Sequence, residues 1–350
     1  MPEDPPTAPW GLALRFADGE DLALDCRAGE SVLQAARRQG YALASECEEG
    51  ICQTCQASLV EGRVAYDNED ALAIGPEERA RGAVLCCVGR PQGDVAVRLP
   101  YTRASLLVAR WHTIVVERVE RLSPTVALLA ARREGYEKFE FHPGQYVNLA
   151  LPSAGAERAY SMASAPETAE RVEFLVRLLP GGAMGDYLLH RAKAGDRLKM
   201  HGPHGVFYLR RIAGPIVMVA GGTGLAPMLS MLRSRIARGE TEGAITLCFG
   251  VTARQDFFHG EELAALARRF KALELRLAML RPDAPWPHAA CTAVDLLTPA
   301  DAEELRASGS AYLCGPPPMV EAARRWMSAQ AIAPERVFAE EFQPASSPQP

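Results

Sequence analysis

The stretch CEEGICQTC, residues 47–55, decides the fold of the N-terminal part of this chain. It contains three cysteines in the spacing C-x₄-C-x₂-C, namely Cys47, Cys52 and Cys55. Two more cysteines follow, Cys86 and Cys87, and 31 residues separate Cys55 from Cys87. Five of the nine cysteines therefore lie between residues 47 and 87. An odd cysteine count argues against a disulfide framework, so this clustering is the first feature to explain.

The spacing is typical of a [2Fe–2S] site, in which a tight loop brings three thiolates to the cluster and a distant cysteine provides the fourth. Gly50 gives the loop backbone the freedom that such a turn needs. Thr54 and the neighbouring amide groups can donate hydrogen bonds to sulfur, which tunes the reduction potential. The alternatives are chance or a zinc site, but zinc sites favour two C-x₂-C pairs and the chain has one. The spacing leaves open whether Cys86 or Cys87 is the fourth ligand.

Three acidic residues surround the first cysteine of the loop: Glu46, Glu48 and Glu49. They form either a solvated loop or an acidic rim on which a basic partner docks. If they form a docking rim, electron transfer to the partner slows as ionic strength rises.

Outward from this loop, residues 10–100 have the pattern of a small α+β unit. Alternating leucines on either side of Asp18-Gly19 predict a β-hairpin. A short helix is predicted from Ser31, its N-cap, to Arg38. Strands are predicted at 57–60 and 95–99.

The next part of the chain is rich in short β-runs separated by turns, which predicts an antiparallel barrel. The predicted strands cover 113–119, 146–151, 172–178 and 197–200, and a helix is predicted at 184–192. From about Pro215 strands alternate with helices, which predicts a doubly wound parallel sheet. Its predicted strands are 216–220, 245–251, 275–280 and 311–314, and its predicted helices are 227–238, 261–270 and 318–330.

These patterns predict three domains with bounds 10–102, 108–210 and 211–342, followed by a disordered tail at 343–350. The net charge is −5 and the pI is near 5.9, so a nucleic-acid partner is not expected. Residues 1–9 lack the basic and apolar regions of a signal peptide. No apolar run is long enough to span a membrane. We therefore expect a cytoplasmic protein, and a monomer.

The second predicted domain contains the sequence RAYS, residues 158–161, which predicts a flavin-binding motif. Arg158 can pair with a pyrophosphate, because a planar guanidinium suits its oxygens. Tyr160 can lie against the isoalloxazine ring, and Ser161 can reach the flavin N5 edge. Ser164 completes the pattern. As an isolated tetrapeptide the motif is weak, and its context strengthens it.

That context is a glycine-rich turn, residues 180–185, which opens the predicted helix. The N–H groups at a helix N-terminus form a ready site for a phosphate. The expected contacts come from Gly181, Gly182, Met184 and Gly185.

Two further turns follow strands of the third domain and predict a nicotinamide dinucleotide site. The first is GGTGLAP, residues 221–227, where Gly221, Gly222, Thr223 and Gly224 let the backbone approach a pyrophosphate. The second is CGPPPM, residues 314–319, where contacts are expected from Cys314, Gly315 and Pro316. The alternatives are an ordinary glycine turn and, for Cys314, simple packing.

The segment GVTARQD, residues 250–256, follows the second strand of this domain and is expected to line the ribose pocket. An NADP enzyme needs positive charge for the 2′-phosphate. Only Arg254 offers it, and Asp256 opposes it. The segment therefore favours NADH.

Taken in this order, the motifs resemble the reductase components of ring-hydroxylating dioxygenase systems, such as the benzoate and naphthalene dioxygenase reductases. The resemblance covers about residues 10–342. It implies a β-grasp ferredoxin domain, a flavin barrel and a NAD domain. It favours Cys87 as the fourth ligand, because the fourth cysteine of plant-type ferredoxins is third in Leu-x-Cys. It also places Phe342 over the flavin, although a surface aromatic is the alternative, and Cys314 beside the nicotinamide.

One residue departs from the family, since Gly185 stands where relatives have Ser or Thr. This removes a hydroxyl contact to the flavin phosphate and leaves FMN open beside FAD. We expect Ser161, Thr223 and Cys314 to lie at the centre of hydride transfer.

The resemblance implies that electrons pass from NADH to FAD, then to the [2Fe–2S] cluster, and on to a terminal oxygenase or a separate ferredoxin. The alternatives are a reductase of a diiron monooxygenase of the phenol or methane hydroxylase type, and a reductase of a deoxysugar dehydratase. A passive electron carrier is disfavoured, because it would not need the two turns at 221–227 and 314–319.

Overall fold

The computed structural model describes residues 9–135, 138–151, 157–211, 213–283 and 285–342. Contacts divide them into two compact units, one running to Val108 and including His204–Val206, the other formed by Ala109–Pro203 and the chain from Phe207 onward. The predicted tail at 343–350 and residues 1–8 of the segment tested for a signal peptide lie outside the described residues. The three domain bounds stay predictions.

The first unit is built on a five-stranded mixed sheet with a helix packed on it. Its elements are β1 (Trp10–Arg15), β2 (Asp21–Cys26), α1 (Val32–Arg38), β3 (Gln56–Glu61), β4 (Val64–Ala65), α2 (Pro76–Ala80), β5 (Ala83–Leu85), β6 (Arg90–Pro91) and β7 (Val95–Arg98). The sheet order is β2-β1-β7-β3-β5, and β1 runs parallel to β7. The predicted hairpin and both predicted strands are confirmed, and the arrangement is the expected ferredoxin fold.

The helix α1 begins where the sequence predicts it. The Gln34 N–H donates to Ser31 Oγ, and the Ser31 N–H donates to the Gln34 side chain, so Ser31 forms a capping box. One face of the helix is buried, through Val32, Leu33, Ala35 and Ala36. This face fixes the helix against the sheet from which the cysteine loop departs.

The second unit begins with an antiparallel barrel. Its elements are β8 (Arg110–Ser123), β9 (Val126–Glu134), β10 (Tyr146–Ala150), β11 (Glu157–Ser161), β12 (Arg171–Arg177), α3 (Ala183–His190) and β13 (Arg197–His204). The strand order is β11-β10-β13-β8-β9-β12. A bridge between Met162 and Phe174 joins the two end strands, so the sheet closes on itself. The barrel prediction is confirmed, although β8 is longer than predicted and β9 was not predicted.

A parallel sheet with helices between its strands completes this unit. Its elements are β14 (Ile216–Gly221), α4 (Leu225–Ala237), β15 (Ile245–Val251), α5 (Gly260–Arg269), β16 (Leu273–Met279), α6 (Pro299–Ala307), β17 (Ser310–Gly315), α7 (Pro317–Ala329) and β18 (Val337–Glu341). The order β16-β15-β14-β17-β18 reverses direction between β14 and β17. A ligand of such a sheet binds at this switch point, outside the carboxyl ends of the strands. The predicted doubly wound sheet is confirmed, and α6 and β18 are additions to it.

Within the described part of the chain, no helix combines the length and the apolar character that crossing a membrane requires.

Candidate functional site

The cysteine loop between α1 and β3 brings four thiols together as two pairs. Cys47 and Cys52 share a side-chain hydrogen bond, and the Sγ atoms of Cys55 and Cys87 are 3.1 Å apart. Among the described residues, no three or more His, Cys, Asp or Glu side chains converge on a single metal ion. Two pairs suit a binuclear cluster instead, because each iron of a [2Fe–2S] cluster takes two thiolates. The donor set therefore fits that group.

The loop backbone is shaped to point N–H groups at sulfur. Gly50 has φ +81, and a Cβ there would lie 3.0 Å from Val88, so the turn requires glycine. Glu48 and Gln53 also adopt left-handed backbone angles, φ 58 and φ 59. The hydrogen bond with Cys52, together with backbone N–H groups of the loop, lowers the pKa of Cys47 to about 5 despite its burial. These donors stabilise a thiolate and are of the kind that tunes a cluster.

The two adjacent cysteines of the turn after β5 have different surroundings. Cys87 faces Cys55 across the loop and also accepts the Gly50 N–H. Cys86 is 1% exposed, and burial raises the pKa of its thiol to about 12. Its backbone bonds to Cys55 O and to the Leu33 N–H, which ties it to the core. The geometry therefore presents Cys87, and not Cys86, to the loop.

The predicted flavin motif lies on β11 at the seam of the barrel. Tyr160 packs against the barrel core, and burial raises the pKa of its hydroxyl to about 12. The Arg158 guanidinium donates to Glu157 O at 2.9 Å and forms no ion pair with a described carboxylate. Arg158 and Tyr160 are two residues apart on β11 and so lie on the same face of the strand, where a planar cation and an aromatic ring suit a flavin and its pyrophosphate.

The glycine-rich turn opens α3 as predicted. Gly182 is the N-cap, Gly181 has φ +71 with no heavy atom near its missing Cβ, and the first helical bond runs from the Asp186 N–H to Gly182 O. The N–H groups of residues 183–185 therefore have no carbonyl partner in the helix, which suits a phosphate. The Met184 side chain lies in the barrel core, so only its N–H faces this turn. A Cβ at Gly185 would meet Leu178 at an ordinary 3.6 Å, so the missing hydroxyl is not excluded by space.

The two turns of the parallel sheet lie side by side at the switch point. Ala220 and Cys314 are register partners, and a Cβ on Gly224 would come within 2.2 Å of Cys314 O. A Cβ on Gly221 would come within 2.6 Å of the Met319 sulfur. Gly222 differs, since its φ is +54 and no heavy atom lies within 4 Å of its missing Cβ. The backbone is thus packed on one side and open on the other, which fits a dinucleotide pyrophosphate.

A residue absent from the predicted set connects the barrel to this switch point. Ser161 Oγ donates to Glu340 Oε2 at 3.1 Å, and Glu340 is the register partner of Cys314 on β18. Cys314 is fully buried, and burial followed by the Glu340 charge raises its pKa well above the usual range. The thiol is therefore neutral, which agrees with a positioning group and not a nucleophile. No sequence motif marks Glu340, which stands near the end of β18, two residues before Phe342.

Phe342 lies next to the same turn. Its N–H donates to Gly315 O at 2.9 Å, and its ring packs against the core that includes Cys314. Thr223 is half-buried within the first glycine turn. Among the candidate catalytic residues, the structure thus gathers Ser161 and Cys314 around Glu340.

Two further predicted residues make hydrogen bonds within the chain. Ser164 is 5% exposed and its Oγ accepts the Glu173 N–H at 3.2 Å, inside the barrel seam. Asp256 was expected beside the ribose, but its carboxylate accepts from Thr125 Oγ1 at 2.8 Å and pairs with Arg177 at 2.9 Å. Its other oxygen accepts the Ala253 N–H. Asp256 therefore bonds the parallel-sheet domain to the barrel.

Arg254, the single candidate cation for a 2′-phosphate, is also engaged. It lies 3.4 Å from the Asp283 carboxylate and donates to Pro285 O at 2.8 Å. The positive charge near the expected ribose pocket is thus offset by a carboxylate. This agrees with the preference for NADH that the sequence predicts.

Comparison with protein families matches three models along the chain. They are a 2Fe-2S iron-sulfur cluster binding domain over residues 16–92, an oxidoreductase FAD-binding domain over 113–208 and an oxidoreductase NAD-binding domain over 218–325. They follow the order in which the three sites occur.

Characterised relatives match the chain from end to end. The toluate 1,2-dioxygenase electron transfer component of Pseudomonas putida is 35% identical over 338 residues, covering 95% of this chain and 98% of the relative. The reductase component of phenol 2-monooxygenase from a Pseudomonas species is 33% identical over 327 residues, covering 91% of each. Among solved structures, the Amycolatopsis cytochrome P450 reductase has a TM-score of 0.68 and 31% identity, covering 96% of this chain and 100% of that chain.

Proposed function

Because the chain belongs to the family of three-domain reductases that serve as electron transfer components of oxygenases, we propose that it delivers electrons to a terminal ring-hydroxylating oxygenase or to the ferredoxin of one. The chain is an NADH-dependent oxidoreductase that carries electrons from NADH through FAD to a [2Fe–2S] cluster. Its similarity over nearly the whole length to the toluate 1,2-dioxygenase component carries the proposal about the acceptor.

The proposed cluster ligands are the four thiols of the two pairs. Cys47 and Cys52 would bind one iron, and Cys55 and Cys87 the other. The 3.1 Å separation of the Cys55 and Cys87 sulfur atoms supports this division.

The proposed flavin contacts come from the barrel and from α3. Arg158 would pair with the pyrophosphate, Tyr160 would lie along the ring, and the N–H groups that follow Gly182 would bind phosphate. FAD, when bound, converts the two-electron chemistry of NADH into single-electron transfer. The Ser161 hydroxyl donates its proton to Glu340, so its oxygen would accept a hydrogen bond at the reactive edge of the ring.

The proposed dinucleotide site lies at the switch point of the parallel sheet. The open side of Gly222 and the N-terminus of α4 would bind the pyrophosphate, and the turn that starts at Cys314 would line the nicotinamide. The neutral, buried thiol there excludes water and sets the shape of the pocket.

A second candidate acceptor is a monooxygenase. The similarity to the phenol 2-monooxygenase component favours it, because that relative covers the chain almost as fully as the dioxygenase component does. Reconstitution with one oxygenase of each class would separate the two. Faster NADH-dependent hydroxylation with the monooxygenase would overturn the proposed acceptor.

The proposed docking surface surrounds the cysteine loop. Ile51, at the tip of the loop, is 45% exposed, and Glu49 beside it is exposed. Glu48 forms an ion pair of 2.6 Å with Arg37 of α1, so its charge is offset within the chain. The rim thus combines an apolar contact at Ile51 with acidic side chains, of which Glu48 is already paired within the chain. Transfer to the acceptor is expected to slow with ionic strength, and a flat salt dependence would contradict a role for these acids.

The relay is tested by anaerobic titration of the purified protein with NADH, followed by visible absorption and EPR. Bleaching of the flavin without an EPR signal from a reduced cluster would refute the relay. Cys87→Ser should abolish the cluster signal and leave NADH-driven reduction of an artificial acceptor intact. Cys86→Ser is the matched control, and loss of the cluster in that variant instead would show that the fourth ligand is misassigned.

A further inference from the structure

The helix α4, which follows the first glycine turn, also forms hydrogen bonds with the barrel. Three residues of α4 lie on one face at helical spacing: Ser230, Arg233 and Ser234. Each of them bonds to the barrel, and both serines are fully buried. The N-terminal end of α4 faces the proposed pyrophosphate site, and a polar stripe farther along it is fixed to the other domain.

The partner of this stripe is the segment directly after the flavin motif. Ser230 Oγ donates to Ser164 O at 2.7 Å, and Ser234 Oγ donates to the Glu167 carboxylate at 2.9 Å. Arg233 donates to Ala163 O at 2.8 Å, two residues beyond Ser161. The α4 stripe therefore connects the backbone that carries Ser161 to the helix that carries the glycine turn.

Arg233 makes more of these bonds than its neighbours. The same guanidinium nitrogen that donates to Ala163 O also donates to Glu173 Oε2 of β12 at 2.9 Å, while the second nitrogen bonds Glu262 of α5. The three charged side chains are 22%, 26% and 28% exposed, so the cluster is partly shielded from water. A planar guanidinium can bridge three acceptors at fixed angles, which an ammonium cannot do.

Arg233 helps to keep the Glu262 side chain of this cluster ionised. Although burial opposes ionisation of Glu262, hydrogen bonds and charge from His259 and Arg233 lower its pKa to about 2. Glu262 is therefore a carboxylate, and Arg233 pairs at the same time with Glu173 on the barrel side. Without the guanidinium, Glu173 would keep Arg118 at 3.9 Å and Glu262 would keep His259 at 2.9 Å, but the bridge between these two carboxylates and the Ala163 carbonyl across the domain boundary would be lost.

We propose that Arg233 is a positioning residue for hydride transfer, which fixes the distance between the nicotinamide site and the flavin site. The inference rests on the proposed placement of the flavin beside Ser161 and of the nicotinamide beside the turn at Cys314. Hydride transfer requires the reacting atoms to approach within about 3–3.5 Å, and a displacement of about 1 Å can lower the rate about 100-fold. Arg233 touches neither cofactor in this placement, so its effect is on geometry alone.

The test compares Arg233→Met with Arg269→Met, an exposed arginine on α5 of the same domain. Anaerobic stopped-flow measures the rate of flavin bleaching over a range of NADH concentrations, with NADH and with NADH deuterated at C4. We expect Arg233→Met to lower the limiting rate constant about 10- to 100-fold, with a full isotope effect and with the dissociation constant of NADH changed less than about twofold. Arg269→Met should match the wild type.

Hydrogen–deuterium exchange gives a readout independent of turnover. In Arg233→Met the amides of residues 163–167 and of α4 should exchange faster, with FAD content and the cluster spectrum retained. Wild-type bleaching rates in Arg233→Met, or a loss of rate that merely follows a loss of FAD, would overturn the proposal. If the wild type itself fails to bleach with NADH, the proposed function fails instead.

Arg233→Lys covers the case in which the methionine variant does not fold. It keeps the positive charge between the two carboxylates but loses the planar fork. An intermediate rate constant with unchanged NADH affinity supports the positioning role, and a wild-type rate constant shows that charge alone is needed and overturns it.

Discussion

Asp256→Asn distinguishes a bond between domains from a contact to the ribose. The substitution keeps the size of the side chain and removes its charge. Asp256 is 5% exposed and bonds Thr125, Arg177 and the Ala253 N–H at 2.8, 2.9 and 3.2 Å. Its own position on the 3₁₀ turn Arg254–Asp256 survives, because an amide oxygen can still accept the Ala253 N–H.

The expected cost follows from these contacts. A hydrogen bond to a charged group contributes about 1.5–3 kcal/mol. Because the Arg177 side chain is 39% exposed, water recovers part of the lost ion pair. We expect Asp256→Asn to lower the free energy of unfolding by about 2 kcal/mol, and the coupling between Asp256→Asn and Arg177→Met to be about 1 kcal/mol.

The assay is urea denaturation of the two single variants and the double variant, followed by release of bound flavin. The ratio of kcat/KM for NADPH to that for NADH is measured beside it and should not change. Glu303→Gln is the matched control, since that carboxylate is exposed on α6 and should shift stability by less than about 0.5 kcal/mol. A tenfold rise in the NADPH ratio with unchanged stability would refute this placement of Asp256 and return it to the ribose pocket.

Three further outcomes are expected. Glu340→Gln keeps a hydrogen bond to Ser161 but removes the negative charge of residue 340. NADH-driven bleaching of the flavin should therefore slow about 10-fold at unchanged FAD content. An unchanged rate would show that this charge does not contribute to hydride transfer. Gly224→Ala places a Cβ 2.2 Å from Cys314 O and should abolish reduction by NADH, whereas Gly185→Ala meets only ordinary contacts and should retain its flavin; equal behaviour of the two variants would contradict the packing argument. The lowered pKa of Glu262 means that the stability of its ionised form is present above the ordinary carboxyl pKa and is lost as the pH falls toward about 2, so unfolding curves of Glu262→Gln should be less sensitive to pH between about 5 and 2 than those of the wild type.

Most of the fold could be predicted from local sequence patterns. The alternation around Asp18-Gly19, the cap at Ser31 and the alternation of strands and helices from Ile216 each depend on neighbours in sequence, and each is confirmed. Of the elements that were not predicted, β9 pairs both with its neighbour β8 and with the distant β12, and β18 pairs with β17 across the intervening helix α7.

The residues of the candidate site likewise fall into those that the sequence predicted and those that only the structure identified. The sequence by itself determined the thiol loop, the flavin motif and the two glycine turns, because each is a short segment whose chemistry follows from residue type and spacing. The spacing left the choice between Cys86 and Cys87 open, since adjacent residues differ only in the direction of their side chains, and the resemblance favoured Cys87. The tertiary structure decided that Cys87 faces Cys55.

The tertiary structure also decided which polar residues belong to the boundary between domains. Asp256 has the position of a ribose ligand in sequence, yet its carboxylate bonds to Thr125 and Arg177, which are more than 70 residues away in the chain. Glu340 and Arg233 carry no motif, and their roles arise only because a distant strand and a distant loop meet them. Charge pairs between segments remote in sequence have no local signature, so folding alone assigns them.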